Sequence, residues 1–252
     1  MAEHNNSNNT SSNVFTERYL TPIAVLLGAV ILAGALVYGH GKIAPNQPSS
    51  GDTGQQAVAV DIQKVKMDGG PYIGNASAPV TMAVWFDYQC PYCKQLDQTV
   101  ITQLNTNYVQ AGKLKIVFKD FQFLGERSPI AGRDDSTTAA EFGRAMWEVY
   151  PSQYYPWLTA MFNAQDDENS GFGDLASIQK LTAGIPGVDV AKVTALMTQK
   201  KAQYDTAIAA DRTEGAAFGI QGTPSIIVGT TLLQGGQSYP TVSAAVDALL
   251  KK

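Results

Sequence analysis

The chain has 252 residues, 44% of them hydrophobic and 16% charged, with a formal charge of −4; these are the proportions of a globular protein long enough to bury a real core. The four charges of residues 1–42 (Glu3, Glu17, Arg18 and Lys42) cancel, so the remainder is the acidic part, and no run of five or six basic residues occurs. That balance argues against nucleic acid as a partner.

Residues 1–18 are rich in Asn, Ser and Thr; with little to bury they are expected to form a disordered polar tail. From Tyr19 to Gly39 the chain then runs without a charged side chain. These roughly 21 residues, at 1.5 Å each, would make a helix about 31 Å long, matching a bilayer core. Residues 19–39 are therefore expected to be a transmembrane signal anchor. Ala33-Gly34-Ala35 keeps a cleaved signal peptide open as the alternative, although the leading tail is long and Arg18 is its one Lys or Arg. A lipoprotein anchor is excluded, because no cysteine precedes Cys90. Arg18 and Lys42 flank the span symmetrically, so charge does not orient it. Residues 40–66, with Pro45, Pro48, Ser49, Ser50, Gly51 and Gly54, read as a flexible linker.

One compact α/β domain is expected over residues 67–252. Val80–Phe86 is a short run of β-formers between Pro79 and Asp87 and reads as a buried strand. Pro91 sits where a helix should begin, because the N–H it lacks has no partner in a first helical turn. Lys113–Phe121 alternates polar and apolar, as a second strand would. From about Ser136 to Phe218 the period becomes helical: Ala139, Phe142, Met146 and Val149 share a face. Leu175, Ile178 and Leu181 mark another helix, and Asp189 is placed to cap a long one carrying Val190, Val193, Met197, Tyr204 and Ile208. Ser225–Val228 and Thr231–Gln234 form a hairpin about Gly229, and a last helix runs from about Thr241 to Leu250. Two halves of an α/β core are thus divided by a helical insertion at about residues 127–218.

The two cysteines of the chain are Cys90 and Cys93, and both histidines, His4 and His40, precede the domain. A structural zinc site needs four ligands, and the domain offers no third cysteine and no histidine, so no metal is expected. A purely structural disulfide closing a two-residue loop would remove little chain entropy. Two inert buried cysteines would fit the spacing. Redox exchange explains more: it needs a thiolate and a second sulfur within reach to resolve the mixed disulfide. The start of a helix favours Cys90 as an anion, and Cys93 falls on the first turn, beside it. Since the pair follows a strand directly, Cys90 is expected at an exposed sheet edge. The second motif is Gly222-Thr223-Pro224-Ser225, a proline directly before an apolar strand; an ordinary strand-entry proline is the plain alternative.

Three segments in order, Gly74-Asn-Ala-Ser-Ala-Pro-Val80, Phe86-Asp-Tyr-Gln-Cys-Pro-Tyr-Cys-Lys94 and Gly219-Ile-Gln-Gly-Thr-Pro-Ser225, resemble DsbA-like thiol–disulfide oxidoreductases, and most of all their membrane-anchored, extracytoplasmic members. The resemblance runs from about Asp68 to the C-terminus. It implies a thioredoxin fold with a helical insertion between the CxxC half and the cis-proline half. It also implies that Cys90 and Cys93 are the catalytic, redox-active pair, that Pro91 and Tyr92 tune it, and that Thr223 and Pro224 hold an extended substrate segment. No cofactor is expected beyond the Cys90–Cys93 disulfide. The implied partners are unfolded or cysteine-containing extracytoplasmic proteins and a DsbB-like or VKOR-like quinone-linked membrane reoxidant. Two departures stand out. Tyr92 occupies the position where the most oxidising relatives have histidine, and supplies no positive charge. Val84 stands where many relatives carry a buried acid, which leaves Asp87 as the nearest substitute proton carrier. The expected function is a disulfide-donating oxidase at the cell membrane with its domain outside. A tethered reductase or isomerase and a non-catalytic peptide-binding module are the alternatives.

Other residues invite chemistry but read as structure. Trp85, Trp147 and Trp157 are expected in the core, Asp166-Asp-Glu168 in a solvated loop, and Arg127 and Arg133-Asp-Asp135 on the surface.

Overall fold

The computed structural model describes residues 60–67, 69–168 and 170–251. The polar tail of residues 1–18, the apolar span at 19–39 and most of the 40–66 linker lie outside the described residues. Among the described residues no helix is long and apolar enough to cross a membrane.

Five strands form one sheet in the order β1-β3-β2-β4-β5: β1 Tyr72–Ile73, β2 Val80–Phe86, β3 Leu114–Asp120, β4 Ser225–Val228 and β5 Thr231–Gln234. β2 and β3 are parallel and the other neighbours antiparallel. β2 lies at the centre and is covered on both faces, which is why all its residues but Thr81 are apolar. Its side chains alternate. Val80, Met82, Val84 and Phe86 join the main core with Cys90 and Cys93, whereas Ala83 and Trp85 join a smaller one with Val60, Val65, Phe121, Ile220 and Ile227. The end of the expected linker is thus part of the domain. Its valines cover the second sheet face, Ile62 N–H donates to the Gly229 carbonyl at 2.8 Å, and the Lys66 carbonyl accepts from Lys119 Nζ at 3.0 Å. The β4–β5 link opens on Gly229 at φ +58°, a left-handed conformation that glycine adopts without steric cost.

Helix α1 (Pro91–Leu96) runs on without a break through a π turn (Asp97–Ile101), α2 (Thr102–Leu104) and a second π turn (Asn105–Val109). The insertion contains α3 (Asp135–Val149), α4 (Pro151–Ala164), α5 (Leu175–Thr182) and α6 (Val190–Ala217); α7 (Tyr239–Leu250) closes the chain. Carboxyl or hydroxyl caps start four of them. Asp134, Asp174, Asp189 and Ser238 accept from the N–H of Thr137, Ser177, Lys192 and Thr241, satisfying donors that a helix start leaves open. Between α3 and α4 the chain turns at Tyr150, which is non-helical, and Pro151 restarts the helix. The insertion packs on the main core through Phe142, Tyr154, Trp157 and Phe162. The end of α6 reaches the other face: Trp85 Nε1 donates to the Asp211 carbonyl at 3.0 Å, and a Cβ on Gly215 would lie 2.8 Å from that nitrogen.

A buried ionic cluster joins β3 to the insertion. Arg144 of α3 donates to the carboxylates of Asp120 and Asp211, and Lys119 pairs with Asp211 and Glu214. The surface placement expected for Arg133-Asp-Asp135 holds only in part: Asp135 is 1% exposed. Arg133 Nε bonds both of its carboxyl oxygens at 2.8 Å, the pairing that makes burial of an acid tolerable.

Candidate active site

β2 delivers the chain to Asp87, and a turn closed by Cys90 N–H donating to the Asp87 carbonyl (3.1 Å) leads into α1. Cys90 is the N-cap of α1 and Pro91 its first residue, as the missing proline N–H suggested. Cys93 lies within the first turn, its N–H donating to the Cys90 carbonyl at 3.0 Å. From the far half of the chain comes Thr223-Pro224, whose peptide bond is cis. The Cys90 thiol donates to the Thr223 carbonyl at 3.4 Å. Cys90, Cys93, Thr223 and Pro224 therefore meet at the carboxyl end of β2. Tyr92 points outward beside them, 60% exposed. With Gln95, Leu96, Gly236, Ser238 and Tyr239 it lines a groove of about 740 Å³.

The two sulfurs, free thiols here, are unequal. Cys90 is held down at about 7, first by a hydrogen bond from the Cys93 thiol, against the opposing effect of burial, and then by the Thr223 side chain and the amides of Cys93 and Tyr92. Cys93 is pushed well up, chiefly by burial. The helix start thus acts in the expected direction, but the neighbouring thiol contributes more. At neutral pH the pair can present a thiolate at Cys90 and a protonated thiol at Cys93. The Thr223 hydroxyl is buried and favours the thiolate at either sulfur, at looser than full hydrogen-bond geometry. The expected exposure of Cys90 does not hold: the residue is 4% exposed, its sulfur turned against the Thr223 backbone.

Asp87, expected as a substitute proton carrier, has a different place. One carboxyl oxygen accepts from Gln89 N–H (2.9 Å) and the Ser136 hydroxyl (2.7 Å), the other from the N–H groups of Phe123 (3.0 Å) and Leu124 (3.1 Å). Burial pushes its pKa up, while those four donors oppose the shift. It ties the active-site turn to the insertion and is not the free carboxylate a relay needs. Val84 sits in the cluster that holds both cysteines and pairs across the sheet with Phe118 and Ile226, so β2 brings no acid to that cluster.

Gln165, which follows α4, was not singled out in the sequence. Its amide donates to the carbonyls of Tyr88 (2.9 Å) and Cys90 (3.2 Å), and its own carbonyl accepts from Lys94 Nζ (2.9 Å). It fixes the turn on which Cys90 stands; a lone glutamine beyond a helix carries no signal of that role. Trp85 and Trp157 are fully buried as expected, and Asp166 is exposed, accepting from Gly171 and Phe172 N–H within its own loop.

The fold and the paired sulfurs define the class: the chain belongs to the thioredoxin family, whose model, described as Thioredoxin, matches residues 66–248. Within that superfamily it is a DsbA-like thiol–disulfide oxidoreductase. It is similar to the disulfide bond formation protein D of Bacillus subtilis, at 23% identity over 190 residues, which cover 73% of this chain and 78% of that protein. A probable disulfide bond formation protein D of Bacillus cereus matches at 24% identity, covering 71% and 78%. Among solved structures, oxidised BdbD from B. subtilis superposes with a TM-score of 0.66 at 20% identity, over 78% of this chain and 99% of that one. The thiol–disulfide exchange protein α-DsbA2 of Wolbachia pipientis gives 0.59 at 26% identity, over 71% and 87%.

Proposed function

We propose that this protein donates disulfides to extracytoplasmic proteins as they fold, with Cys90 as the attacked sulfur and Cys93 as its resolving partner. One observation carries the reading: Cys90 caps the start of α1 with Cys93 on its first turn, and its sulfur faces the cis Thr223-Pro224 segment. A substrate thiolate attacks Cys90 of the Cys90–Cys93 disulfide, and the electron pair passes to Cys93, which takes up a proton. A second substrate thiolate then attacks the substrate sulfur of the mixed disulfide. Cys90 leaves as a thiolate, the substrate keeps the new disulfide, and the dithiol remains. A sulfur of low pKa leaves faster, so stabilising Cys90 favours release of the oxidised substrate. Thr223-Pro224 and the groove beside Tyr92 offer backbone and side-chain contacts for an extended segment of that substrate.

The apolar segment at residues 19–39 supports tethering to the cell membrane with the domain outside, where disulfides persist. The names of the Bacillus relatives support the oxidising direction. Turnover requires a reoxidant, for which a DsbB-like or VKOR-like quinone-linked membrane protein has the needed chemistry. In intact cells an impermeant thiol reagent is expected to label Cys90 only after mild reduction. Labelling without reduction would identify a resting dithiol and a reductase; labelling only after lysis would place the domain inside.

A further inference from the structure

A buried acid lies one helical turn beyond Cys93. Asp97 follows Cys93 by four residues, a spacing that stacks side chains on one helix face and tilts the later one back towards the earlier. Its backbone N–H donates to the Cys93 carbonyl. The residue is 2% exposed, and neither carboxyl oxygen has a partner at full hydrogen-bond geometry. The buried hydroxyls of Tyr155 and Thr159, from α4, face this carboxyl and favour its charged form, at looser than full hydrogen-bond geometry. Of the seven buried side-chain polar atoms without a partner at full hydrogen-bond geometry among the described residues, four belong to these three side chains, so the carboxyl is held only by loosely placed hydroxyls. An acid kept only for structure is paired when buried, because an unmatched one is costly. The backbone is also unusual here: the π turn starts at Asp97, whose carbonyl accepts from Thr102 N–H, and such turns recur at functional sites.

We propose that Asp97 is the proton carrier for Cys93, supplying from α1's own continuation the carboxyl that β2 lacks at Val84. When a substrate thiolate attacks Cys90 and the Cys90–Cys93 bond breaks, the electron pair goes to the Cys93 sulfur, which takes the proton of the Asp97 carboxyl. The carboxylate then recovers a proton from solvent. In reoxidation the order reverses. The Asp97 carboxylate removes the Cys93 thiol proton as that sulfur attacks Cys90 in the mixed disulfide, and the partner leaves as a thiolate. Burial raises the Asp97 pKa to about 6, with Thr159 and Tyr155 opposing the shift and no cation acting on it, so both protonation states are accessible near neutral pH. The nearby ammonium of Lys94 is committed to the Gln165 carbonyl. The proposal rests on Cys93 being the resolving sulfur.

The test is the rate at which Cys93 releases glutathione from a preformed Cys90–glutathione disulfide in the full chain, measured from pH 4.5 to 9. The wild type should show a limb near pH 6, rising as Asp97 ionises. Asp97→Asn should lose that limb and slow by on the order of 100-fold or more at pH 7, and Asp97→Glu should restore it. Tyr155→Phe, which removes a group favouring the carboxylate, should move the limb to higher pH. Alkylation of Cys90 by iodoacetamide in the dithiol should change less than about twofold in every variant, which a general loss of structure would not allow. Folding has its own readout. A folded-state pKa raised above the unfolded value means that the wild type loses stability as pH rises from about 4 through about 6, so Asp97→Asn should gain stability relative to it over that window. A folded Asp97→Asn that keeps both the limb and the rate overturns the proposal, as does an unmoved limb in Tyr155→Phe. Failure of Cys90 to form the glutathione adduct would remove the assignment of the two sulfurs, and Asp97's role with it.

Discussion

Cys90→Ser is expected to abolish disulfide exchange, and Cys93→Ser to accumulate mixed disulfides through Cys90. The asymmetry follows from the site. Cys90 is favoured as the thiolate by the Cys93 thiol, the Thr223 side chain and the amides at the start of α1, whereas burial keeps Cys93 protonated. Without Cys90 the remaining thiol is neutral and 2% exposed, and only a thiolate attacks at a useful rate. Without Cys93 the first attack proceeds, but nothing inside the protein resolves the adduct. Cys93→Ser also removes the largest contribution to the low Cys90 pKa unless the serine hydroxyl replaces the thiol as donor. Alkylation of Cys90 across pH should therefore show a pKa above about 7 in a Cys93→Ala variant. Mass spectrometry of the trapped species locates the adduct, and adducts on Cys93 would reverse the assignment.

Arg144→Met is expected to destabilise the domain by about 3–5 kcal/mol, the usual cost of leaving a buried charge without its partner. Arg144 bonds Asp120 Oδ2 through Nε at 2.7 Å and also reaches Asp211. Both acids are buried, and Lys119 is already shared between Asp211 and Glu214. Methionine would fill much of the volume but leave Asp120 with Gln122 as its one remaining side-chain donor. Arg144→Lys keeps the charge without the planar fork that spans two carboxylates, and should fall between the two. Urea denaturation measures the differences. A loss below about 1 kcal/mol for Arg144→Met would show that the cluster is no stronger than an exposed ion pair.

Much of this architecture was legible because period and punctuation are local. β2 and the β4–β5 hairpin fall where the apolar runs and Gly229 put them, and α6 starts at the Asp189 cap. β1 was not legible: two residues, Tyr72 and Ile73, cannot show a period of two. The break between α3 and α4 is hidden because both helices continue the same period across Tyr150. The linker boundary was misplaced because Val60 and Val65 are sparse among polar residues; what buries them is the sheet face around Trp85. At the site, motif alone picks out Cys90, Cys93, Thr223 and Pro224 as candidates, and the structure brings them together. The residues that support them were not found. Gln165 acts through one amide from the end of a helix, and Asp97 reads as an ordinary polar position in a short helix until α4 covers it. Arg144, Asp120 and Asp211 stand on three elements, and no sequence pattern pairs them. Asp135 looked solvated for the same reason: a charge reveals its burial only through a partner, here Arg133.

The reduction potential of the Cys90–Cys93 pair tests the oxidase reading most directly. Interactions that favour the Cys90 thiolate stabilise the dithiol form and make the disulfide more oxidising, while Tyr92 adds no positive charge to extend the effect. The expected potential lies between that of DsbA, about −120 mV, and that of thioredoxin, about −270 mV. Equilibration of the full chain with glutathione buffers of graded ratio would give the value. A potential within that interval supports disulfide donation, and one at or below about −270 mV would contradict it.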